Sequence, residues 1–171
     1  MERSELEREL ERLQAASWGW ALACCARDRE LAEDALQSAY LRILLGRTRF
    51  DGRSSLRTWV FGVIRRTAME ESRGRRWRFE RGAEIDAAGL VADPAPGADA
   101  VPETSERNAA HEAALAEVSP RQREVIELVF YHDMTIEEAA QVMNVSLGSA
   151  RTHYERGKKA LAWRLAGEKP R

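Results

Sequence analysis

A chain of 171 residues that is 44% hydrophobic, 32% charged and 7% aromatic, with net charge −1, has the size of one ordinary domain or two small ones. Its longest charge-free stretch, Leu13 to Ala26, is 14 residues, short of the roughly 18 that a membrane-spanning helix needs, so no membrane crossing is expected. The acidic opening Met-Glu-Arg-Ser-Glu lacks the basic-then-apolar order of a secretory signal, and Cys24 and Cys25 are adjacent with no third cysteine to pair with. A reducing compartment follows, and the expected location is cytoplasmic.

His111, His132 and His153 stand apart from one another and from any metal-ligand spacing. There is no Gly-rich phosphate loop and no nucleophile motif. No metal, no cofactor and no enzymatic activity are expected.

Helical periodicity runs through the chain without strand alternation, so the expected fold class is all-α. Leu6, Leu10 and Leu13 form a first apolar stripe. A second helix is predicted from near Leu31 to about Gly46, with Leu36, Tyr40 and Ile43 or Leu44 on one side. The third starts at Ser54 or Ser55 as N-cap and carries Leu56, Trp59, Val63 and Thr67. From Gly74 the pattern fades into an acidic, Pro/Ala-rich linker over about 79–110. A short helix through Leu115 and Val118 follows.

Ser119 as cap, Pro120 at the first helical position and Gln122 as capping-box partner then open a helix, with Val125, Ile126, Val129 and Phe130 on its buried side. Thr135 and Glu138 form a second capping box. Asn144 breaks that helix, and Ser146 caps a last one running to about Leu165.

The near-neutral total conceals segregated charge. Residues 46–81 hold eleven arginines, four acids and no lysine, whereas 82–118 are net −7. Two basic blocks separated by an acidic one describe two surfaces for a polyanion, joined by a segment that avoids it. Guanidinium forks suit phosphates and stack on bases, which favours nucleic acid over a merely solvated face.

Residues 136–155 have the spacing of a helix-turn-helix. Ala139, Ala140 and Met143 lie on its first helix, Asn144 tolerates the left-handed turn, and Val145, Ala150 and Tyr154 face the core. The outer face of the second helix then presents Gly148, Ser149, Arg151, Thr152, Glu155, Arg156, Lys158 and Lys159. Such a face fits a major groove, and the helix start offers N–H groups to a phosphate. Glu155 either pairs at i,i+4 with Arg151 and Lys159 or accepts from a cytosine amino group. The second block, from Phe50 to Arg66, mixes aromatics into dense arginine, as capture of single-stranded DNA requires; Trp59 and Phe61 are also natural core residues.

At this point a resemblance is plain. Ala32-Glu-Asp-Ala-Leu-Gln37 with Tyr40-Leu-Arg42, Phe50-Asp-Gly-Arg-Ser-Ser-Leu-Arg-Thr-Trp59, Ser119-Pro-Arg-Gln-Arg-Glu124 and Val145-Ser-Leu-Gly-Ser-Ala-Arg-Thr152 resemble regions two and four of an extracytoplasmic-function sigma factor. The resemblance implies two small helical domains, region two over 1–78 and region four over 111–171, joined by the linker at 79–110. It implies a non-catalytic initiation factor that binds core RNA polymerase and promoter DNA. Glu33, Asp34, Gln37, Tyr40 and Arg42 would dock on the clamp helices of the largest subunit, and region four on the flap of the second largest. Arg53, Ser54, Arg57, Thr58, Trp59, Phe61, Arg65, Arg66, Arg73, Arg75 and Arg76 would melt and read the minus-ten element, while the last helix reads the minus-thirty-five element. The linker would thread polymerase channels, and an anti-sigma factor is a partner that the family allows. The alternative is a stand-alone helix-turn-helix regulator, which would dimerise on two identical half-sites.

Overall fold

The computed structural model describes residues 2–83 and 118–165. Among the described residues the fold is helical throughout, without a strand. Helix α1 spans Arg3–Cys24 and buries Leu10, Ser17, Trp20 and Ala21, one side of the 3.6-residue repeat. It ends in a left-handed turn, with Ala26 at φ 51° and Arg27 at φ 67°, where the Arg27 N–H returns to the Leu22 carbonyl at 2.8 Å. Asp28 then caps α2, Arg29–Leu44, by accepting from the Leu31 N–H at 3.0 Å. Helix α2 closes with the same device, Gly46 taking the left-handed position at φ 66° and the Arg47 N–H reaching the Arg42 carbonyl at 2.9 Å.

Helix α3, Leu56–Ala83, starts where Ser55 Oγ accepts from the Thr58 N–H at 3.1 Å. The sequence reading ends this helix near Gly74, yet it runs on to Ala83. One glycine costs about 1 kcal/mol, too little to stop a helix already nucleated and packed along several turns. Val60, Phe61, Val63, Ile64 and Ala68 of α3 pack with α1 and α2 into one core. The Trp20 indole stacks on Phe61 with centroids 5.9 Å apart and donates its N–H to the Phe61 carbonyl at 3.0 Å. The rest of the linker and the helix expected before Val118 lie outside the described residues.

Helix α4, Pro120–Ile126, has Pro120 in its first turn as expected, but the Ser119 side chain makes no capping bond. It continues as a π-helical turn over Glu127–Tyr131. That wider turn shifts the register, which corrects the expected buried side: Glu127 and Leu128 point inward, while Phe130 turns out to 55% exposure and stacks on Tyr154 at 6.0 Å. Helix α5, Ile136–Met143, carries the Thr135/Glu138 capping box in full. Asn144 sits left-handed at φ 54°. Ser146 Oγ caps α6, Leu147–Leu165, through the Ser149 N–H at 3.1 Å.

The two halves, whose relative placement the sequence leaves open, meet along an apolar seam: α3 packs against α5, and Val125, Leu128, Met134, Ala139, Val142 and Met143 belong to the same core cluster as Trp20, Phe61 and Ile64.

Candidate nucleic-acid interface

Helices α5 and α6 meet at the left-handed Asn144, with Ala139, Ala140 and Ala150 buried between them, so their backbones approach closely. This holds the outer side of α6 in solvent. Gly148, Ser149, Arg151, Thr152, Glu155, Arg156 and Lys159 are exposed, and Lys158 is half-buried. The Thr152 hydroxyl donates to the Gly148 carbonyl at 2.9 Å. Glu155 pairs with Lys158 at 3.2 Å rather than with Arg151, which reaches across to Glu137 of α5 at 3.3 Å. The expected pair of Glu155 with Arg151 is therefore replaced by partners one residue closer and fourteen residues away. Lys158 also lies over the Tyr154 ring, 4.6 Å from its centroid. Gly157 is buried, since a Cβ there would come within 2.7 Å of Ile126 Cδ1.

The arginine block divides into two sides of α3. One faces solvent: Arg66, Arg73 and Arg76 are exposed along a single stripe with Met69 between them. Arg53, in the turn before α3, pairs with Asp51 at 2.6 Å, and the Arg53 backbone N–H and then its guanidinium hold the Asp51 carboxyl below its ordinary range. The Ser54 hydroxyl donates to the Ser55 carbonyl at 3.1 Å, and buried Thr58 shares a hydrogen bond with Ser55 at 2.8 Å. Trp59 is half-buried against Phe50, centroids 5.5 Å apart. Arg75 reaches back to Asp28 at 2.9 Å and Glu30 at 2.8 Å.

The other side of α3 packs against α5 and is met by Glu124 of α4 and His132 of the turn before α5. Phe61 is fully buried between Trp20 and His132, so its ring is closed to a nucleobase in this arrangement. Arg65 is buried and gives both arms of its fork to Glu124, at 2.9 and 3.2 Å. Arg57 donates to the His132 carbonyl and lies over the Phe61 ring at 5.4 Å. Arg27 donates to buried Glu127 at 3.1 Å. Burial, then Arg57 and Arg27, push the His132 imidazole from 6.5 down to about 4. Between the halves lies a cavity of about 200 Å³ lined by Trp20 and Cys24 on one side and Pro120, Glu124 and Glu127 on the other. Burial, then Glu124, raise the Cys24 thiol well above its usual range, and burial pushes Cys25 up to about 11.

A third surface lies on α1 and α2. Glu33, Asp34 and Gln37 are exposed, with Gln37 donating to Glu33 at 3.4 Å. The half-buried Tyr40 gives its hydroxyl to the Leu10 carbonyl at 3.3 Å, and Arg42 pairs with Glu70 of α3 at 2.5 Å. Trp18, Leu36, Tyr40, Leu41 and Leu44, with Glu33 and Gln37 at the side, line an open groove of about 820 Å³. Sequence reasoning found the acids of this surface and missed Trp18 and Leu41. It also missed Glu127, although one acid inside Val125-Ile-Glu-Leu-Val129 is the usual trace of a buried charge with a distant partner.

A helix-turn-helix beside an arginine-rich helical bundle defines a DNA-binding transcription protein. Family models match on both halves: Sigma-70 region 2 over residues 10–78, and Sigma-70, region 4 over residues 110–161. The chain is 31% identical over 138 residues to the ECF RNA polymerase sigma factor SigX of Bacillus subtilis, covering 79% of this chain and 71% of that one. It is 28% identical over 149 residues to the RNA polymerase sigma factor CarQ of Myxococcus xanthus, covering 86% and 81%. Its fold matches the sigma factor RpoE, solved with the anti-sigma factor NepR from Bartonella quintana, at TM-score 0.73 and 20% identity over 96% of this chain and 99% of that one. It also matches CnrH, solved with the cytosolic domain of CnrY, at TM-score 0.66 and 18% identity over 98% and 92%. The chain belongs to the ECF RNA polymerase sigma factors, which bind RNA polymerase and start transcription. Among its described residues no helix is long and apolar enough to cross a membrane.

Proposed function

We propose that this chain directs core RNA polymerase to promoters through two unlike DNA contacts, acting in the cytoplasm and without catalysis of its own. Region four, over 111–171, places α6 in the major groove of the minus-thirty-five element. There Arg151, Arg156 and Lys159 meet bases and phosphates, and Gly148 and Ser149 bring the helix start to the backbone. Region two, over 1–78, captures the unpaired minus-ten strand, with Arg66, Arg73 and Arg76 following phosphates. Stacking on an aromatic ring is worth roughly 1–3 kcal/mol per base, enough to offset a step or two of unstacking. Glu33, Asp34 and Gln37 beside the apolar groove suit the clamp helices of the largest subunit, the acids giving specificity and steering and the groove giving contact area. Region four takes the flap of the second largest subunit, and the acidic 79–110 linker lies along basic channel walls. An anti-sigma factor is a further partner, by analogy with the two complexes above.

The observation that carries this reading is the pairing, on one chain, of an exposed α6 face behind a left-handed Asn144 with a separate arginine stripe on α3. Run-off transcription with core polymerase tests it. Promoter-specific transcripts, with a footprint over two unlike elements, are expected. A footprint of two identical half-sites without transcription would instead identify the stand-alone regulator.

A further inference from the structure

The contact between the two halves is built in an unusual way: its cations come from region two and its acceptors from region four. Arg65 forks onto Glu124 at 2.9 and 3.2 Å, and Arg57 donates to the His132 carbonyl. Arg27 meets Glu127 at 3.1 Å, with Glu127 only 5% exposed. Glu124 is further held by Arg121 of its own helix at 3.2 Å. The His132 ring stands edge-on to both Trp20, at 5.9 Å, and Phe61, at 5.0 Å, which closes the seam. Arg57 and Arg65 also lie within the arginine block assigned above to the melted strand. The Arg65 fork cannot serve the half-buried Glu124 carboxylate and a phosphate together.

We infer that region four and single-stranded nucleic acid compete for Arg57 and Arg65, so that the chain is self-closed until a strand takes those guanidiniums. This rests on the proposed strand-capturing role of the block. Buried ion pairs come close to break-even against their desolvation, so they give the closed state its specificity more than its depth. Phosphates offer Arg65 an acceptor of at least equal quality without desolvating the Glu124 carboxylate. By linkage, whatever loosens the closed form tightens strand binding, and bound strand opens the chain. Cys24 supplies a built-in reporter. It lines the cavity between the halves beside Glu124, whereas Cys25 is packed in the core of region two.

The experiment uses the full chain with a short fluorescein-labelled single-stranded oligonucleotide, read by anisotropy, and iodoacetamide alkylation of Cys24, read by mass spectrometry. Glu124→Gln and Glu127→Gln are expected to bind the oligonucleotide roughly fivefold to tenfold tighter. Both should alkylate at Cys24 faster, with helical circular dichroism unchanged. Glu127→Gln is the stricter case, because its partner Arg27 lies outside the block. In the unaltered protein, saturating oligonucleotide should accelerate Cys24 alkylation, a measurement that needs no variant to fold. Strand binding with no change in Cys24 reactivity, and no gain in either variant, would overturn the inference alone. Failure of every form to bind the strand would overturn the strand-capturing role, and this inference with it.

Discussion

The outer face of α6 and the inner face of α3 are both arginine-bearing helical surfaces, yet the protein treats them oppositely. Arg151 is 61% exposed and its ion pair with Glu137 lies in water, where such a contact is worth at most about 1 kcal/mol. Arg65 is 9% exposed and its pair with Glu124 is part of the packing between two halves of the chain. A surface charge kept for a ligand can be left idle. A buried charge needs a partner inside the protein, and for Arg65 that partner is Glu124 of region four.

The sharpest way to break this comparison is to make the same change on both faces. Arg65→Met should cost about 2–4 kcal/mol in urea denaturation, because Glu124 is left largely buried with only Arg121 beside it. Arg151→Met should stay within about 0.5 kcal/mol. Equal losses would show that Arg65 is no more committed to the fold than Arg151.

Acidification probes the closed side next. His132 is flanked by Arg57 from α3, by Arg27 from the α1–α2 turn and by its neighbour Asp133, and it is held neutral, with its titration lowered from 6.5 to about 4. The unfolded chain therefore binds more protons across that window, so stability is highest above about 6.5 and falls as the pH drops toward about 4. The loss should be about 2 kcal/mol after allowance for solvent screening. His132→Gln should flatten the slope in urea midpoints measured between those limits.

Gly157 tests the support beneath the open face. Its buried position meets Ile126 Cδ1 at 2.7 Å and the Gln122 carbonyl at 3.3 Å for any added Cβ. Gly157→Ala should therefore lower stability by about 1–2 kcal/mol despite the gain in helix propensity, seen as a lower Tm. The smallest effect concerns the turn that delivers Arg27. Ala26 and Gly46 hold the same left-handed position in matching helix ends, at φ 51° and 66°. Ala26→Gly should raise stability by about 1 kcal/mol and Gly46→Ala should lower it by as much, compared by thermal unfolding.

What the sequence revealed follows the range of the interactions involved. The helix-turn-helix was legible almost to the residue, because the Thr135/Glu138 box, the Asn144 turn and the Ser146 cap each use neighbours within three or four positions. Where the reading failed, a longer range or a changed period had intervened. Phe130 was misplaced by the π turn, which no 3.6-residue pattern contains. The partners of Arg151 and Arg65 lie 14 and 59 residues away, beyond any helical spacing rule. The arginine block itself was visible in composition, as eleven arginines without a lysine. Which of them stand open and which are covered depends on the packing of α3 against α5 and on Glu124 reaching it from α4, and composition carries no trace of that.

The fork between Arg65 and Glu124 bears on which substitutions natural selection can accept. A lysine at position 65 would keep its charge for a phosphate but would lose the second, parallel bond to the carboxylate. A change harmless to the proposed strand contact would thus still be felt by the protein's own other half. If Arg65 serves the strand as proposed, drift at that codon is constrained twice, once by DNA and once by Glu124.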